Sequence, residues 1–174
     1  MRKQTDLIRF ALAMAAAMMM MFSINAQAPL KVCPDPASPC KSKHKTFEKY
    51  ELSFTLPKTI KPNVSYPSAP FYAIILKTMA EADCDQGEYS SATERFRMQA
   101  QKLFPDRKVF AENQCPDMGA VGYSINGKNN TKVFVAVYAG ETQLEAEQVL
   151  AKAKEKYPDA RVAKMRVSFE QIEQ

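Results

Sequence analysis

Apolar residues recur at helical spacing in two segments of the chain. They are Phe96, Ala100, Leu103 and Phe104 in the first segment, and Ala146, Val149, Leu150, Ala153 and Tyr157 in the second. Intervals of three and four residues place such side chains on one face of a helix. Each segment opens with a capping box, Ser91 with Glu94 and Thr142 with Glu145, whose side chains satisfy the N–H groups of a helix start. The pattern therefore predicts two amphipathic helices.

The two helical segments belong to a longer internal repeat. Residues 87–110 and 140–163 align 53 positions apart, and seven of the 24 aligned positions are identical. Pro105 and Pro158 end both helices at the same point, because the residue before a proline avoids helical geometry. A short run rich in β-branched and aromatic residues follows each proline. The repeated unit is therefore a helix followed by a strand.

Apolar runs and alternating residues predict strands around the helices. These runs cover residues 71–77, 109–112, 119–125, 132–138 and 161–167. Asn126-Gly127, between the third and fourth runs, is a strong hairpin-turn signal. The order strand, helix, strand, strand, helix, strand predicts an α+β fold. We expect a ferredoxin-like βαββαβ plait, a four-stranded antiparallel sheet with both helices on one face, after an N-terminal extended arm.

Alternation also assigns side chains to the sheet face without helices. The residues assigned to it are Ala73, Ile75 and Lys77, then Phe134, Ala136 and Tyr138, and finally Val162, Lys164 and Arg166. In the last strand this leaves Ala163, Met165 and Val167 for the core. Two aromatic rings and three cations on one face suit a polar, partly anionic polymer. Alternatively, another strand, the arm or a second subunit covers the rings.

The first 70 residues fall into two parts before a predicted domain at 71–174. Residues 1–28 are typical of a cleaved export signal, with early basic residues, an apolar run at 10–22 and small residues before a cut after Ala26 or Ala28. That run is shorter than the about 20 residues that span a bilayer. Residues 29–70 hold eight of the 11 prolines and predict an extended arm, in which residues 50–56 alternate as a candidate extra strand. We expect a periplasmic protein without a membrane span after cleavage.

The charge of the chain is modest. The net charge is +5, and about +3 remains after the signal is removed, which is too little to indicate nucleic-acid binding. Lys41, Lys43, Lys45 and Lys49 make one stretch of the arm basic. This stretch is either a solvated surface or a contact with an anionic wall or membrane surface.

Four cysteines lie in the exported part: Cys33, Cys40, Cys84 and Cys115. An even number in an oxidising compartment predicts two disulfides, with three pairings possible. Closeness in sequence favours Cys33–Cys40, which leaves Cys84 with Cys115. His44 is the single histidine and no Cys-x-x-Cys spacing exists, so no metal or cofactor is predicted.

The residues do not indicate catalysis. Glycine-rich phosphate loops are absent from the sequence, and Ser90-Ser91 are better explained as helix caps than as nucleophiles. The carboxylates of residues 81–88 are explained by loop solubility. We therefore expect a binding protein and not an enzyme.

The chain from 71 to 167 resembles the SPOR (sporulation-related repeat) domain. Val133-x-Val135-x-Val137, the Glu141-to-Glu147 helix start and the Tyr157-to-Val162 turn carry the resemblance. It implies binding of peptidoglycan glycan strands, a role in cell division, and a binding face. The residues it assigns to that face are Ile75, Lys77, Phe134, Ala136 and Tyr138. With the outward cations Lys164 and Arg166 of the last strand, they make seven predicted binding residues. The alternative hypothesis is an exported domain that has lost glycan binding and contacts envelope or division proteins.

Overall fold

The computed structural model describes residues 29–79, 91–112, 121–129 and 132–171. Among these residues, seven strands form one antiparallel sheet, accompanied by two helices. The elements are β1 (Ser65–Pro67), β2 (Phe71–Thr78), α1 (Ser91–Leu103), β3 (Val109–Ala111), β4 (Val121–Ile125), β5 (Lys128–Asn129), β6 (Phe134–Gly140), α2 (Gln143–Lys154) and β7 (Arg161–Glu170). The sheet order is β3-β6-β2-β7-β4-β5, and β1 also pairs with β7.

The prediction of a four-stranded ferredoxin-like sheet is wrong, because the described sheet has seven strands. The cause is the length of β7, which has ten residues. β2 pairs only with residues 161–165 of this strand. Beyond β2, the same edge of β7 pairs with β1 at residues 168–170, and the other edge pairs with β4 at residues 165–169. β1 lies in the proline-rich arm, and Pro67 is tolerated there because β1 is a short exposed strand with few ladder bonds to lose.

The turn predicted at Asn126-Gly127 is confirmed, but it joins β4 to β5 and not to β6. Both residues have positive φ, 50° and 79°, as the two central residues of a type I′ hairpin turn require. The flanking residues Ile125 and Lys128 pair directly. The hairpin therefore adds to the edge of the sheet beyond β7, away from β6.

Both helices pack on one face of the sheet, which we call the helix-side face. Ala100 of α1, Phe104 just after its end, and Ala146, Val149 and Ala153 of α2 are buried there. The capping box predicted for α2 is confirmed. Glu145 N–H donates to the Thr142 hydroxyl (3.3 Å), and Thr142 N–H donates to the Glu145 carboxylate (2.9 Å).

Residues 29–70 pack against the opposite face, which we call the arm-side face. Leu52 and Phe54 are fully buried in it. Two arm segments lie side by side, because Cys33 N–H donates to Ser53 (2.9 Å) and Thr55 N–H donates to Lys31 (2.8 Å). Within residues 50–56 the single ladder contact is an isolated bridge from Phe54 to Val32. This segment therefore belongs to a layer on the sheet and does not form an edge strand.

We expect Phe54→Ala to lower the free energy of unfolding by about 3–5 kcal/mol, because it leaves a cavity where a fully buried ring had been. Denaturant unfolding of residues 29–174 measures this. Leu144→Ala is the control, since Leu144 is 67% exposed and its loss should change stability by less than about 0.5 kcal/mol. Equal stabilities for the two variants would show that the arm is not part of the core.

Candidate functional site

The arm-side face carries a cluster of five aromatic rings, which we call the aromatic cluster. Its members are Phe71, Phe110, Tyr123, Phe134 and Tyr138. Phe71 and Tyr138 stack with centroids 5.6 Å apart, and Phe134 meets Tyr123 edge to face at 5.6 Å. Such offset and perpendicular contacts are the favourable geometries for ring pairs. The rings are therefore packed against one another as a core and are not arrayed as a flat platform.

The aromatic cluster shows that the sheet is curled. Phe110 on β3 and Tyr123 on β4 stack at 5.1 Å, although three strands separate β3 from β4 in the sheet. Neighbouring strands are about 4.8 Å apart, so these two would lie roughly 19 Å apart in a flat sheet. Side chains cannot close that distance while standing on a flat surface. The arm-side face is therefore concave.

The arm closes this concavity with polar contacts as well as apolar ones. Leu52 N–H donates to the Tyr123 hydroxyl at 3.0 Å. At the β3 edge, Ala111 N–H donates to Tyr50 (2.9 Å) and Lys108 N–H donates to Pro34 (2.7 Å). These bonds satisfy backbone groups that would otherwise be left at an unpaired sheet edge.

Four of the seven predicted binding residues lie in the covered concavity. Ile75, Phe134, Ala136 and Tyr138 are 3%, 1%, 0% and 7% exposed. Burial, followed by the charges of Glu141 and Glu145, raises the pKa of the Tyr138 hydroxyl to about 12. Their role in glycan binding stays a prediction, but the folded arm leaves these side chains almost no surface for a polymer to contact.

The other three predicted residues are exposed on the helix-side face. Lys164 pairs with Tyr72, next to Phe71 and Ala73, which point to the arm. Arg166 is two residues further along β7 and shares the face of Lys164. Lys77 lies over the Phe96 ring of α1, with its amine 5.4 Å from the centroid, beyond an irregularity in β2 between Ile75 and Lys77. The structure thus separates the predicted cations from the predicted aromatics.

The assignment of faces in the last strand was therefore wrong. Ala163, Met165 and Val167 are buried, but under the arm and not under the helices. Val162, expected on the helix-free face, packs into the helix-side core. The pairing of Ala163 with Ala73 decides this, because directly paired residues share a face.

Lys164 and Arg166 flank a groove of about 420 Å³ on the part of the helix-side face beyond the helices. Its lining is completed by Pro70, Ser124, Asn126, Gly127 and Met165. The Asn126 amide oxygen accepts a hydrogen bond from Lys164 N–H at 3.3 Å, and Lys164 carbonyl oxygen accepts one from Asn126 N–H at 2.8 Å. The hairpin turn thereby fixes one wall of the groove against β7.

The Arg166 guanidinium is held by a residue that sequence reasoning missed. Its Nη1 donates to the Ser68 carbonyl at 2.7 Å. Ser68 is fully buried, and its hydroxyl accepts from Val167 N–H (3.2 Å) and donates to the Ala69 carbonyl (2.7 Å). One guanidinium nitrogen of Arg166 is thus held in place. The exposed part of the planar guanidinium still presents N–H donors that can bind an anion. Lys164, Arg166 and the Asn126-Gly127 turn carried sequence signals near this groove, whereas Ser68 had none.

The disulfide predicted between Cys33 and Cys40 is present in the arm. Cys84 and Cys115 lie outside the described residues. Within the described ranges, no three histidine, cysteine or acidic side chains are grouped to hold a metal ion. Neither α1 nor α2, the helices of the described parts, has the length and apolar character to cross a membrane.

No protein-family model, curated protein or solved structure matches this chain. The resemblance to SPOR domains therefore stays a prediction.

One partly buried cation, Lys108, connects the arm to the chain just before β3. The Lys108 amine donates to the Lys49 carbonyl at 2.7 Å. Burial, followed by the nearby positive charge of Arg97, lowers the pKa of Lys108 from 10.5 to about 8. Below pH 8 the amine is charged in both the folded and the unfolded chain, so the folded state bears the full cost of burying it.

We expect stability to rise with pH between about 8 and 10, because the folded chain releases the Lys108 proton while the unfolded chain still holds it. The rise should be below about 1 kcal/mol per pH unit, since the amine keeps part of its contact with water. Urea unfolding at several pH values measures it. Lys108→Met should flatten the profile and Lys102→Met, on the exposed side of α1, should not. If stability rises with pH equally in the unsubstituted protein, Lys108→Met and Lys102→Met, then Lys108 is not the group that causes the rise.

Proposed function

We propose that the protein is an exported, non-catalytic module of the cell envelope that binds peptidoglycan through the groove between Lys164 and Arg166. The observation that carries the proposal is the position of these two cations on an uncovered stretch of sheet, beside a groove of about 420 Å³. The arm-side face, which holds the aromatic residues that the resemblance assigned to glycan binding, is filled by the arm. The groove therefore supports the proposal better than that face does.

The chemistry of the groove matches an anionic, hydroxyl-rich polymer. Peptidoglycan carries carboxylates on its peptides and on its glycan strands, and a guanidinium binds a carboxylate through paired hydrogen bonds. Ser124 and Asn126 add a hydroxyl and an amide that suit sugar hydroxyls or peptide groups. Pro70 supplies apolar lining.

The same lining supports binding without catalysis. Lysine and arginine at neutral pH are charged donors, and they hold an anion without exchanging a proton with it. Among the described residues that line the groove there is no histidine or carboxylate to act as a general base. The groove therefore supports an adaptor that localises on the wall.

The test is co-sedimentation of residues 29–174 with purified peptidoglycan sacculi. The double variant Lys164→Ala with Arg166→Ala should weaken pelleting by at least about tenfold, because each charge-assisted hydrogen bond contributes about 1.5–3 kcal/mol. The matched control is Lys102→Ala with Lys154→Ala, which removes two exposed lysines from α1 and α2. Equal losses in both double variants would mean that net charge, and not the groove, is responsible.

A second variant tests whether sacculi bind to the groove or to the aromatic cluster of the arm-side face. Phe134→Ala should lower stability, since the ring is 1% exposed, and leave the affinity of the remaining folded protein for sacculi unchanged. If the folded Phe134→Ala protein no longer pellets, the binding site lies on the arm-side face, and the arm must leave that face for sacculi to bind. Failure of the folded parent protein to pellet would overturn the proposal and favour a protein partner.

A further inference from the structure

The arm carries the excess positive charge of the exported chain. Residues 29–64 contain seven lysines and three acidic residues, a net charge of +4 with His44 neutral. Residues 65–174 contain 14 basic and 15 acidic residues, a net charge of −1. The asymmetry is informative because the arm is folded onto the sheet, so its charges belong to one side of the molecule.

Hydrogen bonds bring the lysine-bearing segments of the arm together. His44 Nε2 lies 2.9 Å from the Lys58 carbonyl oxygen, which links residues 41–45 to the end of the next segment. Cys40 N–H donates to the Ser53 hydroxyl (3.0 Å), and Cys40 is bonded to Cys33. These contacts hold Lys41 and Lys43 beside the strand-like pair of segments that contains Lys31.

Six lysines of the arm are exposed, and four of them belong to the segments that these contacts hold together: Lys31, Lys41, Lys43 and Lys58. We call them the lysine face. Lys45 is different, because it is mostly buried and paired with Glu51 at 3.0 Å. In the described parts of the chain, none of the four lysines of the lysine face forms an ion pair. Their charges are therefore available to a partner.

We propose that the lysine face binds an anionic phospholipid surface. Lysine ammonium groups are flexible point charges, which suit a diffuse layer of headgroups better than a discrete anion. Each lysine near an anionic leaflet contributes about fivefold to binding. Half-buried Phe47, Leu56 and Ile60 lie in the same layer and add apolar surface among the cations. The partner is thus a negatively charged membrane surface, whose headgroups the lysine face contacts without inserting a helix.

The lysine face and the groove lie on opposite sides of the sheet. The arm packs on the arm-side face, whereas Lys164 and Arg166 project from the helix-side face. One molecule can therefore contact a membrane with the arm and a second ligand with the groove. The lysine-face inference does not depend on the identity of the groove's ligand.

The test is sedimentation of residues 29–174 with vesicles of 30% phosphatidylglycerol in phosphatidylcholine, against vesicles of phosphatidylcholine alone. We expect binding to the anionic vesicles that weakens as salt is raised. Replacing Lys41, Lys43 and Lys58 by glutamine should reduce the partition coefficient by at least about tenfold. The matched control replaces Lys102, Lys128 and Lys154, which are exposed outside the arm.

Two outcomes would overturn the inference: equal binding to both kinds of vesicle, or equal loss in the two triple variants. Thermal unfolding of each variant shows that it is folded before binding is scored. Sacculi distinguish this inference from the proposed function, because the arm variant should still pellet with them. If the Lys41, Lys43 and Lys58 triple variant instead no longer binds sacculi but still binds anionic vesicles, the lysine face contacts the wall and the membrane inference fails.

Discussion

The curl of the sheet is the constraint on which the rest of the structure depends. It brings Phe110 and Tyr123 into stacking contact at 5.1 Å and makes the arm-side face an apolar concavity. Such a surface is costly to leave in water. Leu52 and Phe54 fill it, and the Leu52 N–H bond to the Tyr123 hydroxyl fixes the filling segment in register. The arm is therefore a second layer of the domain, without which the sheet would expose its largest side chains.

This filling decides where a ligand can bind. A curled sheet with a plugged interior offers its outer face, and α1 and α2 already cover that face over β2, β3 and β6. The described residues leave uncovered the stretch of β7 and β4 that carries Lys164, Arg166 and Ser124. The groove thus lies where β7 extends beyond the helices.

The sequence predicted the local elements well and the relation between layers poorly. Helical periodicity, capping residues and the Asn-Gly turn each act over a few residues, and they led to the correct helices, turn and central strands. The faces of β7 could not be read in the same way. Both of its faces meet a covered core for part of its length, so alternation marks Ala163 and Met165 as buried without saying under which layer. Prolines made residues 29–70 resemble a linker, although an extended chain with Leu52 and Phe54 can pack by side chains alone.

The arm also joins two properties that would be independent in a simpler domain. Its inner side chains complete the core, while its outer lysines, such as Lys41 and Lys58, hold most of the positive charge. Because both sets belong to the same short segments, release of the arm would expose the aromatic cluster and scatter the lysine face at once. The Cys33–Cys40 disulfide closes a loop before Ser53, and the His44 contact with Lys58 closes a second loop that contains Ser53. Both links oppose that release by reducing the freedom of the chain. A charged surface built on a core-forming segment therefore keeps its geometry for as long as the domain remains folded.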